Sequence, residues 1–293
     1  MAILNTAILG TGNIGCDLLK KITLSPSLRC LNFVGRNVYS DGIRHAKELG
    51  ISTSSNGIDI IISDIDKYDI IFDATSAVDH IKHANLLAKY KVKVINLTPA
   101  DLGINCVPAV NIEASLSAKN LNLITCGGQA SIPIIMAVKD TGCDMEYIEV
   151  VSSIAAKSAG SATRLNINEY LEKTEQAIKA FSNCQSAKAI LNINPAIPCV
   201  NMQTTIYILS NNYNEFKITR DITKIIGTVK KYMPGYGLGG DILFEKRKIT
   251  ILLKMVGAGH YLPKYAGNLD IITSAAINIG EYLSINNYGE KDA

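Results

Sequence analysis

One cysteine has the surroundings of a chemically active thiol. Cys126 follows a predicted strand at 121–124 and precedes an apolar predicted helix at 134–139, with Ser131 suited to cap that helix and Pro133 to its first turn. A helix N-terminus lowers the pKa of a nearby thiol, the thiolate is the nucleophile, and local N–H groups can receive an oxyanion. A buried, inert cysteine is the alternative. The pattern favours covalent catalysis at Cys126, with the following Gly-Gly pair leaving room for a substrate.

A histidine is the natural proton acceptor for such a thiol. His260 lies in the glycine-rich segment 257–263 and is the candidate base, although a purely structural histidine fits the same pattern. His45, His80 and His83 fall on predicted helices, where we expect surface positions.

A glycine-rich loop near the start of the chain is the second chemical feature. It lies between the first predicted strand and the first predicted helix, which is where a dinucleotide-binding fold places its phosphate-binding turn. The glycines allow a tight turn, a close approach of backbone to pyrophosphate and close packing of helix on strand. We therefore predict nucleotide contacts by Gly10, Thr11, Gly12, Asn13, Ile14 and Gly15.

The kind of dinucleotide depends on the end of the second predicted strand. An acidic residue there usually binds the ribose 2′-hydroxyl, but this chain has Val-Gly-Arg-Asn at 34–37. Arg36 suits the 2′-phosphate of NADP and equally suits a solvated surface position, so the choice between NAD and NADP stays open. Thr75, after a further strand, is either a cofactor contact or part of a strand-ending turn.

The elements around these residues predict an α/β fold. Up to about residue 125 short strands alternate with helices, which indicates a doubly wound parallel sheet. Beyond about residue 145, long strands at 147–154, 204–209 and 248–255 with intervening helices indicate a mixed or antiparallel sheet with helices on one face. We predict a dinucleotide-binding domain at 1–125, onto which a C-terminal helix in 266–293 docks, and a catalytic and dimerisation domain at 126–265.

Bulk composition narrows the function classes. A formal net charge of +3 over 293 residues, without a dense Lys/Arg cluster, argues against nucleic acid, and no apolar run is long enough to span a membrane. Seven scattered cysteines without a Cys-x-x-Cys pair suggest neither a disulfide framework nor a metal site. We expect a cytoplasmic protein with reduced thiols.

Taken together, the motifs resemble one enzyme family over residues 6–283. They are Gly10–Gly15, Phe72-Asp-Ala-Thr-Ser-Ala77, Asn96-Leu-Thr-Pro-Ala100, Cys106-Val-Pro108, Thr125-Cys-Gly-Gly-Gln-Ala130, Lys157-Ser-Ala-Gly160 and Tyr265-Ala-Gly-Asn-Leu-Asp270. The set is similar to the acylating acetaldehyde dehydrogenases of meta-cleavage pathways for aromatic compounds. This resemblance implies a fold like that of glyceraldehyde-3-phosphate dehydrogenase, with a Rossmann domain and an α+β catalytic domain.

The resemblance also implies a reaction. A short aldehyde, NAD and coenzyme A would give acyl-CoA and NADH, reversibly, through a thioester on Cys126. The family favours NAD, and we expect a homodimer. Members of the family also work with a 4-hydroxy-2-oxoacid aldolase, which would be a partner of this chain. The alternatives are a phosphorylating semialdehyde dehydrogenase of the same fold, for which Arg164 is the one well-placed arginine, and a non-catalytic nucleotide-binding subunit.

Site residues follow from the resemblance position by position. Besides Thr11 to Ile14, the positions that match nicotinamide contacts are Ser158, Ala159, Gly160, Ser161, Ala162, Thr163, Arg164, Leu165, Asn166 and Asn268. Where the family has an aspartate that assists as base, this chain has Thr204. The segment between Phe244 and Ile249 is also shorter than in the family.

Overall fold

The computed structural model describes residues 3–160, 164 and 167–287. It consists of two compact units, Met1–Leu123 with Thr273–Ala293, and Ile124–Ile272. In this described part of the chain, no helix is long and apolar enough to cross a lipid bilayer.

The first unit is built on a seven-stranded parallel sheet with the strand order β3-β2-β1-β4-β5-β7-β6. Its central strands are buried, as expected when helices cover a parallel sheet. The strands are β1 (Leu4–Leu9), β2 (Leu28–Val34), β3 (Ser52–Ser54), β4 (Ile70–Asp73), β5 (Lys93–Asn96), β6 (Ile104–Asn105) and β7 (Asn120–Asn122).

The connections in this unit are mostly helical, so strands and helices alternate as the sequence predicts. The helices are α1 (Asn13–Leu24), α2 (Asp41–Glu48), α3 (Asp59–Ser63), α4 (Ala77–Leu87), α5 (Pro108–Asn111) and α6 (Ala114–Ser117), with a 3₁₀ turn at Ile65–Lys67.

The second unit has a mixed sheet with the order β11-β13-β10-β8-β9, and β12 pairs with β13. Only the β8–β9 pair is parallel among these strands. The strands are β8 (Tyr147–Ala155), β9 (Ala187–Asn194), β10 (Met202–Leu209), β11 (Tyr236–Leu238), β12 (Leu243–Glu245) and β13 (Lys248–Met255). The short segment after Phe244 forms the tight turn between β12 and β13.

Helices cover one face of this mixed sheet. They are α7 (Cys126–Lys139), α8 (Ile167–Ser182) and α9 (Glu215–Val229), and α7 packs against both of the others and against β8 and β10. Alternate residues of β10 are buried, which fits a strand with one face toward the helices. The predicted fold class, a parallel doubly wound sheet followed by an α+β unit, is confirmed.

The last helix, α10 (Gly267–Asn287), begins in the second unit, and its residues from Thr273 onward belong to the first. Within the first unit the Thr273 hydroxyl donates to the buried Asp17 carboxylate, and Ser25 donates to Glu281 at 2.7 Å. Gly280 lies close to the Leu28 side chain, because a Cβ there would be 3.0 Å from Leu28 Cδ1. This part of the helix is integral to the first unit.

Candidate active site

Cys126 is the first residue of α7. Thr125 caps the helix, with its hydroxyl oxygen accepting a hydrogen bond from the Gly128 N–H at 2.9 Å. The predicted cap was therefore wrong. Ser131 and Pro133 lie inside the helix, where the Ser131 hydroxyl donates to the Gly127 carbonyl at 2.8 Å. The helix starts earlier than predicted because Thr125 supplies a cap immediately before the cysteine.

The turn that leads into this helix is strained. Ile124 has a φ of +64°, a left-handed conformation that is rare for a β-branched residue. Such a backbone costs on the order of 1–3 kcal/mol and persists only where the surrounding structure enforces it. The strained residue lies two positions before Cys126, so the surrounding structure must stabilise this turn.

A tyrosine hydroxyl contacts the thiol. Tyr170, on α8, has its Oη 3.4 Å from Cys126 Sγ and accepts a hydrogen bond from the Gly127 N–H at 2.9 Å. A Cβ on Gly127 would lie 2.5 Å from that hydroxyl. The approach of the Tyr170 hydroxyl thus explains why residue 127 is a glycine. No sequence pattern predicted that Tyr170 lies beside the thiol. The Gly127 N–H, one of the local N–H groups that could receive an oxyanion, therefore already has an acceptor.

The position of α8 is fixed next to the thiol by two threonines. Thr174 donates its hydroxyl proton to the Tyr170 carbonyl at 2.7 Å, and its oxygen lies 2.7 Å from the Thr125 hydroxyl. Because a hydroxyl has one proton, the Thr125 hydroxyl must donate to Thr174 while it accepts from Gly128. The cap of one helix is in this way bonded to the helix that carries Tyr170.

The protonation of the thiol differs from the prediction. Burial raises the pKa of the Cys126 thiol above its ordinary value, and hydrogen bonds from Tyr170 and from the N–H groups of Gly127 and Cys126 only partly offset this. The expectation that the helix N-terminus lowers this pKa was wrong in its net direction. A raised pKa leaves less thiolate at neutral pH, so activation of Cys126 calls for a proton acceptor.

The other cysteines are less suited to catalysis. Five of them are buried, and burial raises the pKa of both Cys30 and Cys106 to about 12. Cys199 is partly exposed, like Cys126.

Thr204 is fully buried on β10, directly opposite Ser152 of β8. Their hydroxyl oxygens are 3.0 Å apart, and the Ser152 hydroxyl also lies near that of Tyr170, because both oxygens are close to the position of a Cβ on Gly127. Thr204 is therefore linked to Cys126 through two other hydroxyl groups.

His260, the candidate base, is exposed in the loop that follows β13. In the described part of the chain, the side chain hydrogen-bonded to the Cys126 thiol is that of Tyr170.

In the first unit, the glycine loop lies between β1 and α1 as predicted. Gly10 has a φ of +104°, and a Cβ there would be 2.4 Å from the Ala74 carbonyl oxygen. A Cβ on Gly15 would lie 1.9 Å from the Gly10 carbonyl oxygen, whereas one on Gly12 would face open space. Gly10 and Gly15 are thus required by packing, and Gly12 leaves room beside the helix.

The start of α1 has the features of an anion site. Gly12 is its N-cap, so no side chain caps the helix, and its first turn contains no acidic residue. The free N–H groups of such a turn bind phosphate. Thr11 is held by Ser40, whose hydroxyl oxygen is 3.3 Å from that of Thr11.

Arg36 and Thr75 have different settings. The Arg36 side chain is 88% exposed, and its nearest charged partner is Asp79 at 3.6 Å, a surface pair that contributes little to stability. The Thr75 hydroxyl donates to the buried Asp73 carboxylate and forms part of a strand-ending turn.

The structure brings Asn268 and Ser158 together in the second unit. The Asn268 amide donates to the Ser158 carbonyl at 3.4 Å, and its Oδ1 is buried with no hydrogen-bond partner among the described residues. The Arg164 guanidinium donates to the carbonyls of Ala156 and Ala159, and Gly160 is exposed. The predicted contacts Ser161, Ala162, Thr163, Leu165 and Asn166 lie outside the described residues.

Two histidines were wrongly predicted at the surface. His80 is fully buried and the His83 side chain is only 14% exposed, because both rings point from α4 to the Asp73 carboxylate at the end of β4. Burial acts against ionisation of Asp73, but hydrogen bonds from the two histidines outweigh it and hold the pKa of Asp73 well below its usual range. The available signal was the spacing of the two histidines, one helical turn apart after a strand-ending aspartate.

The sequence comparisons agree with one another. Residues 126–263 match the family model described as prokaryotic acetaldehyde dehydrogenase, dimerisation. The chain is 46% identical to an acetaldehyde dehydrogenase of Spirochaeta aurantia, over 95% of this chain and 94% of that one. It is 46% identical to that of Pectobacterium atrosepticum, over 97% and 96% of the two chains. It is also 43% identical to that of Geobacillus stearothermophilus, over 97% of each chain.

A solved structure supports the fold independently of close sequence similarity. Aspartate semialdehyde dehydrogenase II of Vibrio cholerae superimposes with a TM-score of 0.66 at 14% identity, over 97% of this chain and 99% of that one. At this identity the likeness concerns the fold alone, and that fold is the glyceraldehyde-3-phosphate dehydrogenase-like one. The dimerisation family model supports a homodimer.

Proposed function

This chain belongs to the acetaldehyde dehydrogenase family, and from that premise we propose that it oxidises a short aldehyde to an acyl-CoA through a thioester on Cys126. Family membership makes the chain an enzyme that acts as an aldehyde dehydrogenase with a nicotinamide cofactor, and the non-catalytic alternative is set aside. The observation that carries the proposal is a cysteine, partly exposed as a residue, at the first position of α7, with its sulfur 3.4 Å from the Tyr170 hydroxyl oxygen.

The proposed chemistry starts at the sulfur. Cys126 loses its proton, and the thiolate adds to the aldehyde carbon to give a thiohemiacetal. A bound nicotinamide supplies the acceptor for the hydride that this carbon then releases. Loss of the hydride and of the hydroxyl proton leaves a thioester on Cys126. The thiol of CoA attacks that thioester, the acyl group leaves on CoA, and the Cys126 thiol is restored.

The described residues fit a nicotinamide dinucleotide. The uncapped start of α1 and the open space beside Gly12 suit its pyrophosphate. In the second unit, the buried Oδ1 of Asn268 has no hydrogen-bond partner among the residues that the structure describes, and it is suited to accept a hydrogen bond from a carboxamide. We propose that the first unit holds the dinucleotide and that the second supplies the thiol and the dimer contacts. NAD is the proposed form.

We propose CoA instead of phosphate as the acyl acceptor. A phosphorylating enzyme needs a free cationic pocket for its anion, and Arg164, the arginine considered for that role, donates to the two carbonyls of Ala156 and Ala159. A partnership with a 4-hydroxy-2-oxoacid aldolase stays a proposal based on the family alone. His260 as acceptor of the thiol proton also stays a proposal, and it rests on the residue type and its glycine-rich segment.

One assay tests the acceptor and the covalent step together. With acetaldehyde and NAD, absorbance of reduced nicotinamide should rise continuously when CoA is added and should not when phosphate is added. With CoA omitted, mass spectrometry of peptides should find the acyl group on Cys126.

Cys126→Ala should lose turnover with an unchanged melting temperature, whereas Cys199→Ala, which removes the other partly exposed cysteine, should keep it. Turnover in Cys126→Ala would rule out the covalent mechanism, and sustained turnover with phosphate would point to the phosphorylating alternative.

A further inference from the structure

The Tyr170 hydroxyl occupies a specific position at the nucleophile. It lies 3.4 Å from Cys126 Sγ and accepts the Gly127 N–H at 2.9 Å. The fold makes space for it, because any side chain at 127 would collide with the hydroxyl. Tyr170 is therefore held against both the reacting sulfur and the first turn of the helix that carries it.

The hydrogen-bond directions around Tyr170 can be assigned by counting protons. A phenol has one proton to donate and two lone pairs to accept with. The Gly127 N–H can only donate, so it takes one lone pair. The Ser152 hydroxyl lies beside the same point, since a Cβ on Gly127 would be 2.5 Å from the Tyr170 oxygen and 3.6 Å from that of Ser152, and we assign Ser152 as the donor to the second lone pair. The single tyrosine proton is then directed at the Cys126 sulfur.

The same count extends to Thr204. If Ser152 gives its proton to Tyr170, the 3.0 Å contact between Ser152 and Thr204 must have Thr204 as donor. The two residues face each other in register on β10 and β8, so the contact is set by the sheet. Donation then runs in one direction, from Thr204 to Ser152, to Tyr170 and finally to Cys126, and aligned hydrogen bonds of this kind strengthen one another.

We propose that Tyr170 is a catalytic residue that stabilises the Cys126 thiolate by donating a hydrogen bond to it, with Ser152 and Thr204 as positioning residues that orient its hydroxyl. The inference rests on the proposed function, in which that thiolate attacks the aldehyde. Tyr170 keeps its proton throughout, since burial raises its pKa well above the ordinary value. The proton that leaves the thiol passes to a base outside this chain of hydroxyls. The structure thereby assigns a role to Thr204 that needs no carboxylate.

The test measures the pH dependence of Cys126 alkylation by iodoacetamide in the full-length enzyme. A Cys199→Ala background removes the other partly exposed thiol, and peptide mass spectrometry identifies the labelled site. Tyr170→Phe should move the alkylation profile to higher pH and slow labelling near neutral pH about tenfold, since a hydrogen bond to a charged group contributes roughly that factor or more. Ser152→Ala and Thr204→Val should shift the profile in the same direction by a smaller amount.

Tyr236→Phe is the matched control. This buried tyrosine also bonds to the helix of Cys126, donating to the Ala130 carbonyl at 2.7 Å, but it does not contact the thiol. Its variant should keep the wild-type alkylation profile.

An unchanged profile in a folded Tyr170→Phe protein would overturn the inference. If that variant does not fold, an unchanged profile in Ser152→Ala would overturn it instead. Alkylation requires no aldehyde, NAD or CoA, so its outcome is independent of the turnover assay. A shifted profile with no aldehyde turnover would support the role of Tyr170 and refute the proposed function. Turnover with an unshifted profile would support the proposed function and refute the role of Tyr170.

Discussion

The buried ring of His80 lies with its Nδ1 2.9 Å from the Asp73 carboxylate, at the carboxyl end of the central strand β4. The Nδ1 of His83 lies 2.8 Å from the same oxygen. Because the carboxylate only accepts, both rings must donate through Nδ1. The Nε2 of His80 is 3.1 Å from the Asn120 amide nitrogen, so the buried ring also contacts β7. One carboxylate thus connects the end of β4 to α4.

Asp73→Asn should destabilise the protein by about 3 kcal/mol, because the amide cannot replace the carboxylate oxygen that accepts from both histidine rings, and a buried donor without an acceptor costs roughly 1–3 kcal/mol. The folded-state pKa of Asp73 is lowered relative to its ordinary value of 3.8. Its contribution is therefore fully present above about pH 4 and is lost as the pH falls through the folded-state value. Urea unfolding at several pH values should show the difference from wild type shrinking only in acid.

Asp41→Asn is the control for this experiment, because its carboxylate is mostly exposed and pairs with Arg44 at the surface. It should cost less than about 1 kcal/mol at any pH. A similar small loss in Asp73→Asn would show that the histidine pair contributes little to the fold.

The features that were predicted correctly from the sequence are the ones that local patterns determine. The glycine loop, the position of Cys126 at a helix start and the three long strands of the second unit were all identified, and the strand Lys248–Met255 was predicted residue for residue. Short-range signals are sufficient to predict these features, because the alternation of a strand, a glycine motif and the flanking turns each extend over only a few neighbouring residues. The strand β9 was missed because only one of its eight residues, Ala189, is buried at the sheet edge and its other residues include lysine and asparagine.

The features that could not be predicted depend on tertiary distance. Tyr170 is far from Cys126 in the sequence, and a tyrosine on an amphipathic helix is ordinary there. The direction of the thiol pKa was predicted wrongly because the helix effect is local, while desolvation depends on everything that packs around the sulfur. His80 was misplaced because its burial is stabilised by a carboxylate on a strand.

The cofactor choice can be tested at Arg36. Its side chain is exposed and close to Asp79, which reduces its attraction for a 2′-phosphate. We expect NAD to bind more tightly than NADP, and Arg36→Ala to weaken NADP binding no more than about fivefold, as for an exposed charge. Arg44→Ala, at another exposed arginine, should change neither affinity. Fluorescence titration with both nucleotides measures this, and a preference for NADP that Arg36→Ala abolishes would instead assign the 2′-phosphate to Arg36.

Asn268 provides a test of the nicotinamide site. Its buried Oδ1 lacks a partner among the described residues, and a hydrogen bond gained there by a ligand would contribute roughly 1 kcal/mol. Asn268→Ala should therefore weaken NAD binding about fivefold or more in calorimetric titration. Asn286→Ala removes an exposed amide from the same helix and should leave binding unchanged. Equal affinities in Asn268→Ala and wild type would exclude the amide as a cofactor contact.

The final prediction concerns the proton that leaves Cys126. Burial raises the pKa of this thiol, so at neutral pH its activation depends on a base, and His260 is the proposed one. General-base assistance typically contributes 10²–10⁴-fold, so His260→Ala should lower kcat by at least about a hundredfold near neutral pH. A general base no longer helps at a pH where the thiol ionises without it. The loss of kcat in His260→Ala should therefore shrink as the pH rises above the ordinary pKa range of a thiol. Thr204→Asp, which introduces a carboxylate at the position where the resemblance implies one, should recover part of the neutral-pH activity in the same background. His45→Ala, on α2 of the first unit, is the control and should match wild type. If kcat of His260→Ala equals that of wild type at every pH, the exposed histidine has no part in the reaction, and the proton of Cys126 passes directly to water.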